Sequence, residues 1–303
     1  MEKVIIIGAG PAGISAALYA ARGNMYPLVI NHGIGGLQKA EKIENYYGLE
    51  HPLSGQELYD TGIAQAKALG VKILDAQVVG VEGFDTFVVK TTEGDFETQS
   101  LILATGSRRA APKIPGIREF EGRGVSYCAI CDAFFYRGKD VAVLGNGDFA
   151  MHEAQELANT ASSVTIYTNG EEPQFTPTEN IAVNTLKIQS IEGEETVSGI
   201  RLAPEIQAES TKEDEAQNVG DFQPVSGVFV ALGTAGSAEI ARQMGAELTE
   251  KGNIKVNENM ETTIPGLYAA GDCTGGLLQV AKAVYEGAQA SLNAAKYVRS
   301  LKK

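Results

Sequence analysis

Val4-Ile5-Ile6-Ile7-Gly8-Ala9-Gly10-Pro11-Ala12-Gly13 joins a short apolar run to a helix-forming segment, Ile14 to Ala21. Val4–Ile7 reads as a buried parallel strand, because such strands are covered on both faces and need not alternate. The glycines between strand and helix have separate tasks. Gly8 makes the turn, Gly10 lets backbone approach a phosphate, and Gly13 lets helix and strand pack closely, leaving the helix N-terminus facing an anion. With strand and helix both in place, the segment reads as a diphosphate cradle for a dinucleotide rather than as a merely tight turn. The usual acid at the end of the second strand is missing, since Leu28-Val29-Ile30 runs into Asn31-His32. An amide there is a weaker ribose partner.

A second copy follows: Asp140 to Leu144, then Gly145-Asn146-Gly147-Asp148-Phe149-Ala150, then Glu153 to Ala158 at helical spacing. Gly145 lies 137 residues after Gly8, which indicates two nucleotide-fold domains. As a nicotinamide site the second copy is degraded. Its next strand, Val164 to Tyr167, ends in Thr168-Asn169-Gly170-Glu171-Glu172, with neither the arginines that a 2′-phosphate needs nor a carboxylate at the strand end. From 171 to 221 there are twelve acids against three bases, a surface that either repels a polyanion or is a solvated loop and hairpin. Glu205 to Asp221, polar and poor in apolar residues, reads as a mobile loop.

The whole chain has 303 residues, 35 of them glycine, and a net charge of −13. This excludes broad contact with nucleic acid or anionic lipid, since counterion release needs Lys and Arg at phosphates. Val4 to Ala21 carries no charge, but glycine and proline interrupt it and Glu2 spoils a basic leader, so no membrane segment and a cytoplasmic start are expected.

Three cysteines cannot build a disulfide framework, so spacing matters more than number. In Tyr127-Cys128-Ala129-Ile130-Cys131-Asp132 two thiols three positions apart can close a small disulfide ring and exchange with a partner through a mixed disulfide. They are half a zinc site, and the nearest histidine, His152, is 21 residues past Cys131, so no metal is expected. Asp132 is a proton donor or acceptor beside a thiol leaving group, or else a helix-capping carboxylate. Cys273 has no near partner and reads as a packing residue.

These residues resemble the low-molecular-weight thioredoxin reductases. The resemblance rests on GAGPAG at 8 to 13, IENYYG at 43 to 48, Ala104-Thr105-Gly106, CAICD at 128 to 132, GNGDFA at 145 to 150, and Ala269-Ala270-Gly271-Asp272 followed by Gln279. It implies an α/β fold of two Rossmann-like three-layer nucleotide-binding domains, one inserted into the other. An FAD domain would span 1–111 and 236–303, and a central redox domain 112–235. It further implies FAD contacts from Gly8, Gly10, Pro11, Ala12, Gly13, Gly36, Gln38, Asn45, Thr105, Gly106, Gly271, Asp272, Gln279 and Val280. Cys131 would face the flavin, Cys128 would attack the partner disulfide, and Asp132 would be the acid. A homodimer is the family expectation.

The departures from that pattern lie at the nicotinamide signature. Family members that use NADPH carry His-Arg-Arg where this chain has Thr168-Asn169-Gly170, and no arginine stands between Arg137 and Arg201. The helix usual in that region is largely absent from the pattern. Gly35-Gly36-Leu37-Gln38 replaces Gly-Gly-Gln-Leu, Gly233 to Ser237 replaces a Pro-Asn ending, and Leu278 stands where an arginine commonly precedes Gln279. Loss of the signature with CxxCD intact is similar to the ferredoxin-dependent flavin thioredoxin reductases. The expected activity is therefore FAD-dependent reduction of thioredoxin, with ferredoxin rather than NADPH as donor. The alternatives are an NAD(P)H enzyme with an atypical pocket and a non-catalytic FAD redox sensor. Locally, residues 101–140 hold seven bases against four acids, a patch able to steer an acidic carrier or thioredoxin.

Overall fold

The computed structural model describes residues 2–106, 113–127, 129–204, 221–232 and 236–301, and the backbone alone at Ile130 and Cys131. The chain divides into two compact units, Met1–Arg109 with Gly236–Lys303, and Ala110–Ala235. Both are α/β, each built on a five-stranded parallel sheet.

The first unit begins with β1 (Ile5–Ile7), α1 (Pro11–Arg22), β2 (Leu28–Asn31), α2 (Gly55–Ala68) and β3 (Lys72–Asp75). A small antiparallel sheet follows, β4 (Val78–Glu82), β5 (Phe87–Thr91) and β6 (Gly94–Thr98), and the chain returns in β7 (Leu101–Leu103). The second unit runs β8 (Val125–Ser126), α3 (Ala129–Asp132), β9 (Asp140–Leu144), α4 (Asp148–Ala158), β10 (Ser163–Tyr167) and β11 (Ala182–Asn184). Its own antiparallel sheet is β12 (Ile188–Gly193), β13 (Val197–Leu202) and β14 (Phe222–Pro224), after which β15 (Gly227–Val230) rejoins the parallel sheet. The first unit is completed by α5 (Ser237–Gln243), β16 (Leu267–Ala269) and α6 (Val280–Ser300).

The first parallel sheet has the order β16-β7-β1-β2-β3. From β1 the chain moves outward through β2 and β3, then crosses back to the other side of β1. A crevice opens at the carboxyl end of β1 at such a switch point. The second sheet, β11-β10-β9-β15-β8, repeats the arrangement with its switch at β9. β1 and β7 are buried throughout, and each isoleucine or leucine in them contributes about 2 kcal/mol of apolar burial. α1 lies on α6 through small residues: a Cβ on Gly287 would come within 2.0 Å of the Ala12 carbonyl oxygen, and Ser15 Oγ donates to the Val284 carbonyl at 2.6 Å.

Between β10 and β11 there is no helix, so the parallel crossover is made by irregular chain alone. The helix after the second glycine turn begins at Asp148, earlier than its apolar spacing from Glu153 indicates. Of the stretch 205–221 read as a mobile loop, residues 205–220 lie outside the described residues. No described helix is long and apolar enough to cross a membrane.

Candidate functional site

In the first unit the expected cofactor residues gather at the carboxyl ends of three neighbouring strands: Gly8–Gly13 after β1, Thr105 and Gly106 after β7, and Gly271 and Asp272 after β16. Gly8 takes φ +107°, and a Cβ there would meet the Ala104 carbonyl oxygen at 2.5 Å. A Cβ on Gly13 would stand 1.8 Å from the Gly8 carbonyl oxygen, whereas one on Gly10 meets nothing within 4 Å. Gly13 is thus filled by protein, and Gly10 borders open space. α1 has Pro11 at its start, no side chain capping its N-terminus and no acid in its first turn. Open space, bare helix N-terminus and close-packed glycines fit the diphosphate of a dinucleotide such as FAD.

Asn31, the amide in the place of the usual ribose-binding acid, is engaged by the protein itself. Its Oδ1 accepts the Ala9 N–H at 3.0 Å and its Nδ2 donates to the Tyr59 hydroxyl at 2.8 Å, so the amide braces the glycine turn from behind. Burial, the larger effect, pushes the Tyr59 phenol up, and the Asn31 bond opposes it.

Asn45 and Gln279, 234 positions apart, meet through an Nδ2–Oε1 bond of 2.9 Å. Gln279 is also the residue before Val280, the first of α6. Thr105 and Ser237 are joined reciprocally: their hydroxyls lie 2.7 Å apart, Thr105 N–H donates to Ser237 Oγ at 3.1 Å, and Ser237 N–H to Thr105 Oγ1 at 2.9 Å. Gly36 and Gln38 lie in a 3-10 turn, Gly35–Lys39, in which Leu37 is buried while Gly36 and Gln38 are exposed.

Behind the Gly271–Asp272 turn sits a cluster that sequence reading missed. Glu286 Oε2 accepts the Gly271 N–H at 2.8 Å and the Thr274 hydroxyl at 3.0 Å. Lys282 Nζ donates to the Gly271 carbonyl at 2.9 Å and to Thr274 Oγ1 at 2.8 Å, and pairs with Glu286 at 3.0 Å. Lys282 and Glu286 stand one turn apart on α6, a pattern visible in the sequence but common on solvated helices. Here both are largely buried, and removing one partner would leave an uncompensated charge. Burial pushes the Asp272 carboxyl up, with Lys282 opposing and Glu286 reinforcing.

In the second unit α3 follows the edge strand β8, and Cys131 lies in its backbone; Cys128 lies outside the described residues. Asp132 ends α3. It precedes the 3-10 turn Ala133–Tyr136 without capping it, which corrects the helix-cap alternative: its Oδ2 accepts the Ser126 hydroxyl at 2.6 Å. Burial first, then the Asp132 charge, push the Tyr136 phenol up.

The second glycine turn is bonded to a later segment of the chain. Asn146 Nδ2 donates to Glu171 Oε2 at 2.6 Å, and the Gln174 N–H donates to the Asn146 carbonyl at 2.7 Å. Asn169, at φ +55°, accepts the Ile188 N–H on its Oδ1 at 2.8 Å and fixes the turn that presents Glu171. With Asp148 in the first turn of α4 and Glu171 bonded to Asn146, two carboxylates belong to this turn.

Cys273 is buried and free. Burial pushes its thiol up to about 12, so the reactive thiolate is scarce at pH 8. The native protein is expected to resist iodoacetamide at Cys273 at pH 8. Peptide mass spectrometry checks this, and labelling as fast as in denaturant contradicts it.

The model for the pyridine nucleotide-disulphide oxidoreductases matches residues 2–287. A thioredoxin reductase from Aquifex aeolicus (strain VF5) is 36% identical over 316 residues, covering 99% of this chain and 94% of that protein. Among solved structures the chain is similar to the atypical thioredoxin reductase of Desulfovibrio vulgaris Hildenborough, at 38% identity, TM-score 0.88 and 99% of both chains. It is also similar to a ferredoxin-flavin thioredoxin reductase from Clostridium acetobutylicum, at 32% identity and TM-score 0.70 over 99% of this chain and 98% of that one. The chain belongs to the pyridine nucleotide-disulphide oxidoreductases, and within them to the thioredoxin reductase family.

Proposed function

We propose that this protein is an FAD-dependent enzyme that reduces thioredoxin through Cys128 and Cys131, with electrons from reduced ferredoxin rather than NADPH. The observation that carries the donor assignment is the Glu171–Asn146 bond across the second glycine turn. A nicotinamide dinucleotide would have to displace that bond and bring its pyrophosphate against Glu171 and Asp148. The similarity to a ferredoxin-flavin thioredoxin reductase supports the same reading.

Gly8–Gly13, the Thr105–Gly106 turn and Asp272 would hold FAD, which would supply a two-electron store between a one-electron donor and a disulfide. The chemistry of the chain itself begins with the dithiol. Cys128 attacks the thioredoxin disulfide as thiolate, forming a mixed disulfide and releasing one thioredoxin sulfur, which takes a proton. Cys131 then attacks Cys128, releasing the second sulfur and closing the Cys128–Cys131 disulfide. Two electrons and two protons pass to thioredoxin. Asp132, with Ser126 fixing its Oδ2, holds a proton beside the exchanging sulfurs. Arg118, Arg123, Arg137 and Lys139 belong to the basic stretch that would favour an acidic carrier.

The test is anaerobic absorbance of the flavin-loaded protein. NADPH and NADH are expected to leave the flavin oxidised, and reduced ferredoxin to bleach it and drive thioredoxin reduction. Rapid bleaching by either nicotinamide overturns the donor assignment and favours an atypical NAD(P)H pocket, for which the retained Gly145–Gly147 turn would be the reason.

A further inference from the structure

Glu153, on α4, is 1% exposed. Its Oε2 accepts the N–H of Ala129 at 2.7 Å, and that amide is the peptide bond to Cys128. Its other oxygen, Oε1, is buried without a hydrogen-bond partner, as is Nδ1 of His152; the two atoms lie 3.9 Å apart. Across the imidazole, His152 Nε2 stands 3.9 Å from Glu156 Oε1. A buried carboxylate with a free oxygen is costly, and such groups in native proteins call for an explanation. The packing of α4 alone offers none, since an apolar side chain would fill the place without the penalty. The carboxylate spends its one bond on the backbone of the redox motif.

We propose that Glu153 is a positioning residue for Cys128 and Cys131: it clasps the amide between Cys128 and Ala129 and keeps a buried negative charge beside the motif, so that the reduced pair retains its protons until thioredoxin arrives. This rests on the reading of the two cysteines as the redox pair. Reduction of their disulfide breaks the S–S bond and takes two electrons and two protons, one of each per sulfur. The reductant is reduced flavin in the enzyme, or a dithiol reagent in the test. A nearby negative charge favours thiol over thiolate, so the proton count of the reduced pair depends on Glu153.

The elements packed on α4 carry further titratable groups. α3 brings Asp132, bonded to Ser126; β9 brings Asp140, bonded to Ser163; β10 brings Tyr167; α4 itself brings His152 and Glu156. Glu153 bonds a backbone amide of the motif itself, that of Ala129.

The experiment is alkylation by iodoacetamide of the full-length, flavin-loaded protein after dithiothreitol reduction, followed against pH by peptide mass spectrometry at Cys128 and Cys131. Glu153→Gln keeps an oxygen for the Ala129 N–H and removes the charge. The midpoint for the faster thiol is expected to fall by about one pH unit, and its rate at pH 7 to rise about fivefold. Glu153→Asp, which keeps the charge, is expected to stay near the wild-type midpoint. A Glu153→Gln profile that overlays wild type overturns the proposal, and so does a Glu153→Asp profile that shifts as far as Glu153→Gln. If dithiothreitol exposes no new thiols at Cys128 and Cys131 in wild type, the redox reading itself falls, which separates its failure from that of Glu153.

Discussion

Replacing Cys128 by Ser is expected to lower thioredoxin reduction by at least about a thousandfold while the protein stays yellow. A serine hydroxyl cannot form the mixed disulfide, and no other thiol takes its place, since Cys273 is buried in the other unit. Cys131→Ser divides the reaction at a different point. Cys128 can still attack once, but nothing resolves the product, so a covalent adduct with thioredoxin should accumulate. Both variants are assayed anaerobically with reduced ferredoxin as donor, with flavin content read from absorbance. Turnover within tenfold of wild type in Cys128→Ser would remove the pair from the mechanism.

The glycine turn after β1 supplies a second large effect, and here two neighbouring substitutions should differ in kind. Gly13→Ala places a Cβ 1.8 Å from the Gly8 carbonyl oxygen. Both partners are backbone, so strand and helix must separate, at a cost of about 3 kcal/mol or more. A strongly lowered melting temperature with or without flavin is expected. Gly10→Ala meets no protein atom within 4 Å and has φ −71°, a conformation open to alanine. Its flavin-free form should melt as wild type does, while FAD affinity falls by about a hundredfold because the methyl group fills the space left for the diphosphate. Equal FAD affinity in Gly10→Ala and wild type would move the diphosphate elsewhere.

Much of the fold was legible because the decisive signals are local. An apolar run, a glycine turn and a helix-forming segment fall within some twenty residues, and the motif occurs twice. The small antiparallel sheets were not legible. β4, Val78-Val79-Gly80-Val81-Glu82, is interrupted by glycine and pairs out of register around it, and β14 is only three residues long. Strands of that length owe their state to their neighbours. The same division holds at the site. The glycines and the CxxC announce themselves by spacing, but Glu153 in the sequence is one acid among several on a helix. Lys282 and Glu286 look like a solvated pair, and nothing about Asn31 in the sequence shows that it braces the glycine turn. Burial converts each of them, and burial comes from the tertiary fold.

The first unit takes its fifth strand and longest helix from sequence that follows the inserted unit. β7, whose residues are fully buried between β1 and β16, has no outer neighbour until Leu267–Ala269 has been made. α1 likewise lacks the surface that Gly287 and Val284 provide. On the ribosome, the nascent first half therefore waits with an open sheet edge through the synthesis of the whole inserted unit. An open edge leaves the chain exposed to mispairing through that interval. It ends only when α6 is released, bringing with it the lysine and glutamate that clasp the Gly271–Asp272 turn.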